Sequence, residues 1–358
     1  MTTQTHEAFA QSLLAAVRAQ DFGSTADSMQ GGKPVAAFPS IDLAVAAFPP
    51  GKPPVWANVL FSREHPQGVV ADLGGRAGSA QNIRFDRDVQ GVGTANSAKG
   101  DSIAWLPGAD WQAIDWQKLA GAGPHRFVAP YPASLLKLMV AVGVGLAMDE
   151  KLTSEWPAPL EPMIVVSDND ATTECVALLH RLKLIDALNE RFARLGLTTL
   201  QINDTKPDGG WRNGDGSGVG HIHMTAWDTV RLLWLLDAAA PPAPWLSGGA
   251  RLLSDASRTY LHGVLKRQQL DEILSSDSLR GLPGWVPGLP GAPAFAHKTG
   301  TTQNYASDAG IVQTDGVHYI VAVLTNLGDR YAPEERCATT WRLPALGAAV
   351  HGLIESLR

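Results

Sequence analysis

Short apolar runs lie near both ends of this 358-residue chain, and their placement constrains the fold more than any other feature. Each run is bounded by Pro- or Gly-rich turns, which is typical of β-strands. The runs are Ile41 to Phe48, Val55 to Phe61, Gly68 to Leu73, Ala294 to Thr299, Ala306 to Gln313 and His318 to Thr325. The Asp315-Gly316 pair between the last two runs predicts a tight hairpin.

The apolar residues between these two regions have helical spacing instead. The predicted helices are Ala8 to Arg18, Leu135 to Met148, Ala171 to Leu188, Thr225 to Leu236, and Glu334 to Leu357 with an interruption near Pro344. Leu135 to Met148 is almost wholly apolar apart from Lys137, which indicates a buried helix. Thr225 is a candidate N-cap, with Asp228 at the third position after it.

Strands at both ends with helices between them predict an α/β (α+β) fold. One antiparallel sheet would be assembled from both ends of the chain, with flanking helices and an inserted helical lobe. We expect one catalytic domain over residues 1–358, with a sheet part at about 1–130 and 285–358 and a helical lobe at about 131–284. A functional site would lie between the two parts. The stretch from Gly74 to Gly123 has no clear period, and Gly281 to Pro293 is predicted as an extended surface loop, either a plain connector or a substrate-facing segment.

Three short motifs occur once each, in a fixed order, within and after the helical region. They are Ser134-Leu-Leu-Lys137, Ser167-Asp168-Asn169 and Lys298-Thr299-Gly300. A Ser-x-x-Lys match alone arises by chance on the order of once in a chain of this length. The order and the structural setting of all three motifs therefore carry the argument, and together they supply the groups that acyl transfer to a serine requires.

Ser134 and Lys137 are candidates for a nucleophile and its base. Residues three apart on a helix share a face, so the amine of Lys137 can reach the Ser134 hydroxyl. A serine hydroxyl is a weak nucleophile without an adjacent base, and the apolar run around Lys137 disfavours a charged ammonium. Pro132 and Ala133 precede the serine, which predicts that Ser134 opens the helix, where backbone N–H groups and the helix dipole stabilise an oxyanion.

The other two motifs offer groups for proton relay and for substrate binding. Ser167 supplies a hydroxyl, Asn169 supplies an amide, and Gly300 leaves room for a substrate backbone to lie alongside its strand. Each motif also has a purely structural interpretation: an N-cap serine, a lysine that reaches solvent from a core helix, an Asx turn that starts a helix, or the end of a strand. All of these would have to hold in one chain, so the catalytic interpretation is favoured.

The three motifs in this order resemble those of class A β-lactamases and penicillin-binding proteins. The resemblance covers about residues 119–326 and implies the β-lactamase/transpeptidase fold. It also implies a serine hydrolase that cleaves an amide, β-lactam or ester bond through an acyl-serine intermediate, with no cofactor and no metal ion. The implied substrate is a small-molecule or peptide-like compound with an anionic group.

The resemblance also implies a role for each motif residue. Ser134 would be the acylated nucleophile and Lys137 its general base, while Ser167 would pass the proton to the leaving nitrogen. The implied substrate-binding residues are Asn169, Lys298, Thr299, Gly300 and Thr301. Lys298 would also support Ser167 and, with Thr299, receive the substrate's anionic group. Asn169 would hold an amide, the backbone N–H groups of Ser134 and Thr301 would form the oxyanion hole, and Asp308 matches a structural position.

The chain departs from the class A pattern after the second motif. Class A β-lactamases carry a Glu-x-x-x-Asn segment whose glutamate activates the water that releases the acyl group. Residues 201–221 of this chain contain no glutamate. The residues that could replace it are Asp204, Asp208, Asp215 and His221. Only 33 residues separate Ser134 from Ser167, which is shorter than in familiar class A enzymes and predicts a smaller helical lobe and a more open cleft.

These departures leave several activities open beside true β-lactam turnover. The chain could be a penicillin-binding or sensing protein that is acylated and then releases the acyl group slowly. It could also be an amidase, peptidase, esterase or acyltransferase that acts on small metabolites. His221-Ile-His223 could in principle hold a metal ion, but no carboxylate or cysteine pattern accompanies it.

Composition excludes other classes of function. The net charge is −6 and no run of Lys and Arg occurs, which argues against a nucleic-acid partner. No segment approaches the roughly 20 apolar residues of a membrane span, and the N-terminus lacks the basic start and apolar stretch of a secretory signal. We therefore expect a cytoplasmic protein, or a periplasmic or secreted one if a leader was removed. Cys175 and Cys337 are predicted to be reduced core residues.

Overall fold

The computed structural model describes residues 3–74, 77–81, 83–88, 116–120, 127–203, 205–211, 222–247, 249–282, 284–329 and 341–358. Its helices are α1 (Thr3–Arg18), α2 (Lys137–Asp149), α3 (Leu160–Val165), α4 (Asn169–Arg181), α5 (Leu184–Arg194), α6 (Ala226–Leu236), α7 (Asp255–Leu265) and α8 (Leu343–Glu355). Short 3-10 turns lie at Phe22–Ser24, Ser28–Gln30, Ala133–Leu136 and Asp277–Leu279.

The strands fall into one large sheet and several small ones. The large sheet contains β3 (Ile41–Ala47), β4 (Val55–Ser62), β5 (His65–Val70), β11 (Phe295–Thr301), β12 (Ala306–Thr314) and β13 (Val317–Thr325). The small pairings involve β1 (Ala26–Asp27), β2 (Lys33–Pro34), β6 (Ile83–Asp88), β7 (Trp116–Ala120), β8 (Phe127–Val128), β9 (Gln201–Ile202) and β10 (Ile222–His223).

The large sheet has the order β11-β12-β13-β3-β4-β5, and all its neighbours are antiparallel. The two ends of the chain meet in its centre, where Val321 of β13 pairs with Val45 of β3. This confirms the predicted fold class. Every residue of β3 is buried, so both faces of the sheet are covered: α1 packs on β4 and against α8, while α6 packs on β13 and β3.

Helix α2 is the central helix of the helical part and is buried on nearly every side. It packs against α3, α4, α5 and α7. Gly143 permits the close approach of α4, because a Cβ atom there would lie 2.7 Å from Leu179 Cδ1. An apolar helix without an exposed face requires such neighbours on all sides. The side chain of Lys137, at the first position of α2, is therefore fully buried too.

Several helix predictions need correction. The predicted helix Ala171 to Leu188 is two helices, α4 and α5, because Lys183 has φ +58°, a left-handed conformation that ends a helix. Pro344 does not interrupt the last helix. It lies in the first turn of α8, where a backbone N–H has no partner within the helix, so a proline is tolerated there. Residues 334–340 of that prediction lie outside the described residues. Helices α3 and α7 were not predicted.

A buried polar cluster joins the sheet to α6. Thr225 caps α6 as predicted, since its hydroxyl accepts from Asp228 N at 3.3 Å. The guanidinium of Arg231 donates to Asp228 Oδ1 at 2.5 Å, and both side chains are buried. Asp42 of β3 accepts from Ala226 N at 2.9 Å. These bonds compensate charges that would otherwise be costly to bury, and they fix α6 on the sheet.

Two further features concern the chain as a whole. Cys175 is a buried free thiol whose pKa is raised to about 12 by burial, and Cys337 lies outside the described residues. None of the helices in the described ranges is both long enough and apolar enough to cross a membrane.

Candidate active site

Ser134 lies in the 3-10 turn Ala133–Leu136, which leads directly into α2. Ala133 has φ +50°, a backbone conformation that costs a residue with a side chain about 1–3 kcal/mol. Such strain persists only where the surrounding structure enforces it, and it is common at functional sites. In this turn it presents the partly exposed Ser134 at the N-terminal end of an otherwise buried helix.

Gly300 of β11 packs against the Ser134 turn. A Cβ atom at Gly300 would lie 2.7 Å from Ser134 N and 2.6 Å from Pro132 O. The Ser307 hydroxyl of β12 donates to Pro132 O at 2.5 Å and holds the same turn from the neighbouring strand. The room that a glycine leaves at this position is therefore taken by the backbone of the Ser134 turn itself.

The N–H of Thr301 is directed away from the sheet. Thr302 N donates to Tyr305 O at 2.8 Å, and Gln313 N donates to Ala294 O at 2.9 Å. Hydrogen-bonded and non-bonded pairs alternate along an antiparallel ladder, so Thr301, one residue before Thr302, turns its N–H to the free side. Strand β11 is one of the two edge strands of the large sheet. This N–H lies next to the residue that contacts the Ser134 turn, as an oxyanion hole would require.

The amine of Lys137 is bound by the second motif. Its Nζ donates to Ser167 O at 2.7 Å, to Ser167 Oγ at 3.1 Å and to Asn169 Oδ1 at 2.9 Å. The Lys137 side chain is fully buried. The first and second motifs, predicted to cooperate from their order alone, are therefore in direct contact.

Lys298 reaches the same hydroxyl from the opposite wall of the site. Its Nζ donates to Ser167 Oγ at 2.9 Å and to Thr299 O at 2.6 Å, and its side chain is fully buried. Burial, together with the nearby positive charge of Lys137, places the pKa of Lys298 well below its usual range. The site therefore contains an amine that loses its proton more readily than an exposed lysine does.

The loop that carries Ser167 is held in an unusual conformation. Ser167 has φ +58°, and the residue after it starts α4: Asp168 Oδ1 accepts from Ala171 N at 2.8 Å as an N-cap. The carboxylate of Asp168 is thereby engaged in holding the loop. Both neighbours of Asp168 direct their side chains to Lys137. The structure thus gives Asp168 the helix-starting role that sequence reasoning had suggested.

A buried histidine supports the strand that carries Lys298. His297 Nδ1 lies 2.8 Å from Asp308 Oδ1, and its Nε2 lies 3.1 Å from Asp271 Oδ1. Burial alone would lower the pKa of His297, but the two carboxylates outweigh it and raise the pKa to about 9. Asp308 Oδ2 also accepts from Leu274 N at 3.0 Å. This cluster joins β11 and β12 to the loop before β11, and sequence reasoning identified only its Asp308 member.

Trp211 is a second site residue that sequence reasoning missed. Its ring centre lies 5.6 Å from Lys137 Nζ, and only 8% of the side chain is exposed. It is the only Phe, Trp or Tyr in residues 201–221, which was the available signal. It follows a tight turn in which Lys206 N donates to Gly210 O at 2.7 Å.

The residues proposed to replace the missing glutamate can be located only in part. Asp208 is exposed, and its Oδ1 accepts from Gly210 N at 3.0 Å within the same turn. It lines an open groove of about 720 Å³ beside α4, together with Thr173 and Glu174. Asp204, Asp215 and His221 lie outside the described residues. In the parts of the chain that are described, no three His, Cys, Asp or Glu side chains are grouped as a metal site.

The fold and the convergence of Lys137 and Lys298 on Ser167 place this protein in the β-lactamase/transpeptidase class. A sequence model of the beta-lactamase enzyme family matches residues 147–340, more than half of the chain. The chain therefore belongs to the beta-lactamase enzyme family.

Solved structures support the same fold. The crystal structure of a β-lactamase from Sphaerobacter thermophilus DSM 20745 is similar with a TM-score of 0.52 and 14% identity, covering 97% of this chain and 98% of that one. The TLA-1 extended-spectrum β-lactamase gives a TM-score of 0.50 and 13% identity over 96% of this chain and 99% of its own. At such identities the similarity shows the fold alone. No curated protein matches the chain.

Proposed function

We propose that this protein is an acyl-serine hydrolase that cleaves an amide, β-lactam or ester bond in a substrate with an anionic group. The observation that carries the proposal is the convergence of two buried amines on one hydroxyl. Ser167 Oγ lies 3.1 Å from Lys137 Nζ and 2.9 Å from Lys298 Nζ. Burial and mutual repulsion disfavour two ammonium charges side by side, so a neutral amine is available to act as a base.

In the proposed acylation step the lysine pair carries its one positive charge on Lys298, and Ser134 Oγ attacks the substrate carbonyl carbon while its proton passes to the neutral amine of Lys137. The negative charge on the carbonyl oxygen would be stabilised by the N–H groups of Ser134 and Thr301. The C–N bond then breaks, and the proton moves from Lys137 through the Ser167 hydroxyl to the leaving nitrogen. The products are an acyl ester on Ser134 and a free amine. In an ester substrate the C–O bond breaks instead, and the leaving alkoxide takes the proton.

The proposed substrate contacts come from both walls of the site. The ammonium group of Lys298, together with the Thr299 hydroxyl, would receive the anionic group of the substrate. Asn169 would hold an amide of the acyl part, since its Oδ1 already accepts from Lys137. Two walls that meet at Ser167 give the substrate one orientation, which is the main requirement for efficient attack.

A second candidate function is binding with slow release of the acyl group. Residues 201–221 contain no glutamate, and the one described carboxylate among the possible substitutes, Asp208, is exposed and engaged in its own turn. Without a base for water, the acyl ester would persist. The protein would then report on or sequester acylating compounds.

One experiment tests the proposal and separates the two candidates. The protein is incubated with penicillin G or with an activated ester, and its intact mass is followed over time. A transient adduct with accumulating product is expected for a hydrolase, and a persistent adduct is expected for slow release. Absence of any adduct with both compounds would contradict both candidates.

Two variants identify the acylated residue. Ser134→Ala must abolish the adduct, whereas Ser12→Ala, which removes an exposed hydroxyl on α1, must retain it. Labelling of Ser134→Ala at an undiminished rate would show that the nucleophile is another residue.

A further inference from the structure

Trp211 covers the amine on which the proposed chemistry depends. The centre of its ring lies 5.6 Å from Lys137 Nζ, within the distance at which an aromatic face attracts a cation. The side chain is 8% exposed, so the contact is largely shielded from water. Cation–π contacts are stronger in such surroundings than on a surface.

The charged neighbours of Lys137 make this contact significant. Within the part of the sheet that the structure describes, Lys298 shares Ser167 Oγ with the Lys137 amine, and the carboxylates of Glu272 and Asp308 act on Lys298 in turn. From the start of α4, the groups that face it are the neutral oxygens of Ser167 and Asn169, while Asp168 turns its carboxylate to Ala171 N. Burial and Lys298 both disfavour the ammonium form of Lys137. The indole face acts in the opposite direction.

We propose that Trp211 is a positioning residue for Lys137, whose indole face stabilises the ammonium form and holds it against Ser167 and Asn169. The contact keeps Lys137 basic enough to accept the Ser134 proton, although burial and the nearby charge of Lys298 lower the proton affinity of its amine. This inference deepens the proposed acyl-serine function and rests on it for its kinetic consequence. The effect on the protonation of Lys137 can be measured without any substrate.

Three variants at Trp211 separate the aromatic face from simple filling of space. Trp211→Phe keeps an aromatic face, Trp211→Leu keeps an apolar shield without one, and Trp211→Ala admits water. The full-length protein is labelled with ¹³C at the lysine ε-carbon, and the Lys137 signal is assigned by its absence in Lys137→Arg. The pH at the midpoint of its titration is then measured by NMR.

The expected midpoint of the Lys137 titration is lower in Trp211→Leu than in the parent protein by about half to one and a half pH units, the range that cation–π contacts span from exposed to shielded sites. In Trp211→Phe it stays within a few tenths of a unit of the parent value, and in Trp211→Ala it rises above that of Trp211→Leu because water solvates the ammonium. Equal midpoints in the Leu and Phe variants would overturn the proposal.

The kinetic readout is the acylation rate by penicillin G as a function of pH. Its acidic limb is expected to move to lower pH in Trp211→Leu by the same amount as the titration, and Trp211→Phe is expected to restore the parent profile. If neither penicillin G nor the activated ester acylates the parent or any variant, the proposed function fails, and the NMR midpoints still decide the role of Trp211. If acylation proceeds and the profiles of the Leu and Phe variants coincide, the role of Trp211 is refuted.

Discussion

Lys137 of α2 and Lys298 of β11 bring their Nζ atoms to the same oxygen, Ser167 Oγ, at 3.1 and 2.9 Å. Both side chains are fully buried, and the positive charge of Lys137 is one cause of the lowered pKa of Lys298. The two lysines therefore titrate as a pair. Removing either one changes the charge that the other carries.

Replacing Lys137 is expected to abolish efficient acylation. In Lys137→Ala, the second-order rate of Ser134 acylation by penicillin G should fall by about 10²–10⁴-fold, the usual contribution of a general base. Stopped-flow or quenched mass spectrometry measures this rate. The matched control is Lys33→Ala, which removes an exposed lysine on β2 and should leave the rate unchanged. A comparable loss in both variants would contradict the role of Lys137.

The His297 cluster predicts a loss of stability at alkaline pH. The folded pKa of His297, about 9, exceeds the ordinary histidine pKa of 6.5, so the folded state holds the His297 proton more tightly than the unfolded state does. The resulting stabilisation is fully present below pH 6.5 and is lost as the pH rises through about 9. The free energy of unfolding should therefore fall by about 2–3 kcal/mol over this interval, as measured by urea titration.

Asp271→Asn is the companion test for this pH dependence. Asp271 is only partly buried, and it supplies one of the two carboxylates that face His297. Without it the folded pKa of His297 should be lower, so the loss of stability should begin at a lower pH. Parallel curves of unfolding free energy against pH for the two proteins would show that His297 does not control this titration.

Gly300→Ala is expected to damage both stability and acylation. The new Cβ would lie 2.5 Å from Leu135 N and 2.7 Å from Ser134 N, and backbone atoms cannot move aside as a flexible side chain does. Overpacking of this kind costs about 1–3 kcal/mol, and it displaces the nucleophile. The contrasting variant is Gly263→Ala in α7, where nothing lies within 4 Å and a gain of about 0.5–1 kcal/mol is expected. Urea unfolding and acylation rates report both effects.

Arg231→Met tests the buried polar cluster beneath α6. The variant leaves the Asp228 carboxylate buried without the guanidinium that compensates it, and breaking a buried pair in this way costs about 3–5 kcal/mol. Arg194→Ala breaks the exposed pair with Glu190, whose side chains are 63% and 70% exposed, and should cost about 0.5 kcal/mol or less. Denaturant titration measures the free energy of unfolding of both variants. Equal losses in Arg231→Met and Arg194→Ala would show that the buried pair is no more important for stability than the exposed one.

Much of the fold could be predicted from local patterns. The apolar runs between turns predicted β3, β4, β11, β12 and β13, because a strand buried by neighbouring layers must be apolar along its length. Thr225 predicted the start of α6, because an N-cap is a local contact: one side chain accepts a hydrogen bond from a backbone N–H in the first turn of the same helix. The break between α4 and α5 at Lys183 could not be predicted in this way. A left-handed backbone conformation is usual for glycine or asparagine, and a lysine in the sequence gives no indication of it.

The candidate site could be predicted as a set of residues but not as an arrangement. The three motifs named Ser134, Lys137, Ser167 and Lys298, and the structure brings the side chains of Lys137 and Lys298 to the Ser167 hydroxyl. His297 and Trp211 escaped prediction, because a histidine in a strand and a tryptophan in a loop gain their roles only from partners distant in sequence. Their neighbours Asp271 and Lys137 become adjacent only when loop, helix and sheet pack together.

The sequence by itself determined the order of the elements, the apolar faces that must be covered and the types of reactive side chain. Those properties depend on neighbours along the chain, within one helical turn or one strand. Only the tertiary structure decided that two buried amines share Ser167 Oγ, that Gly300 contacts the Ser134 turn and that an indole face covers Lys137. Proton affinity in a buried site depends on distances of a few ångströms between distant residues, and folding alone sets those distances.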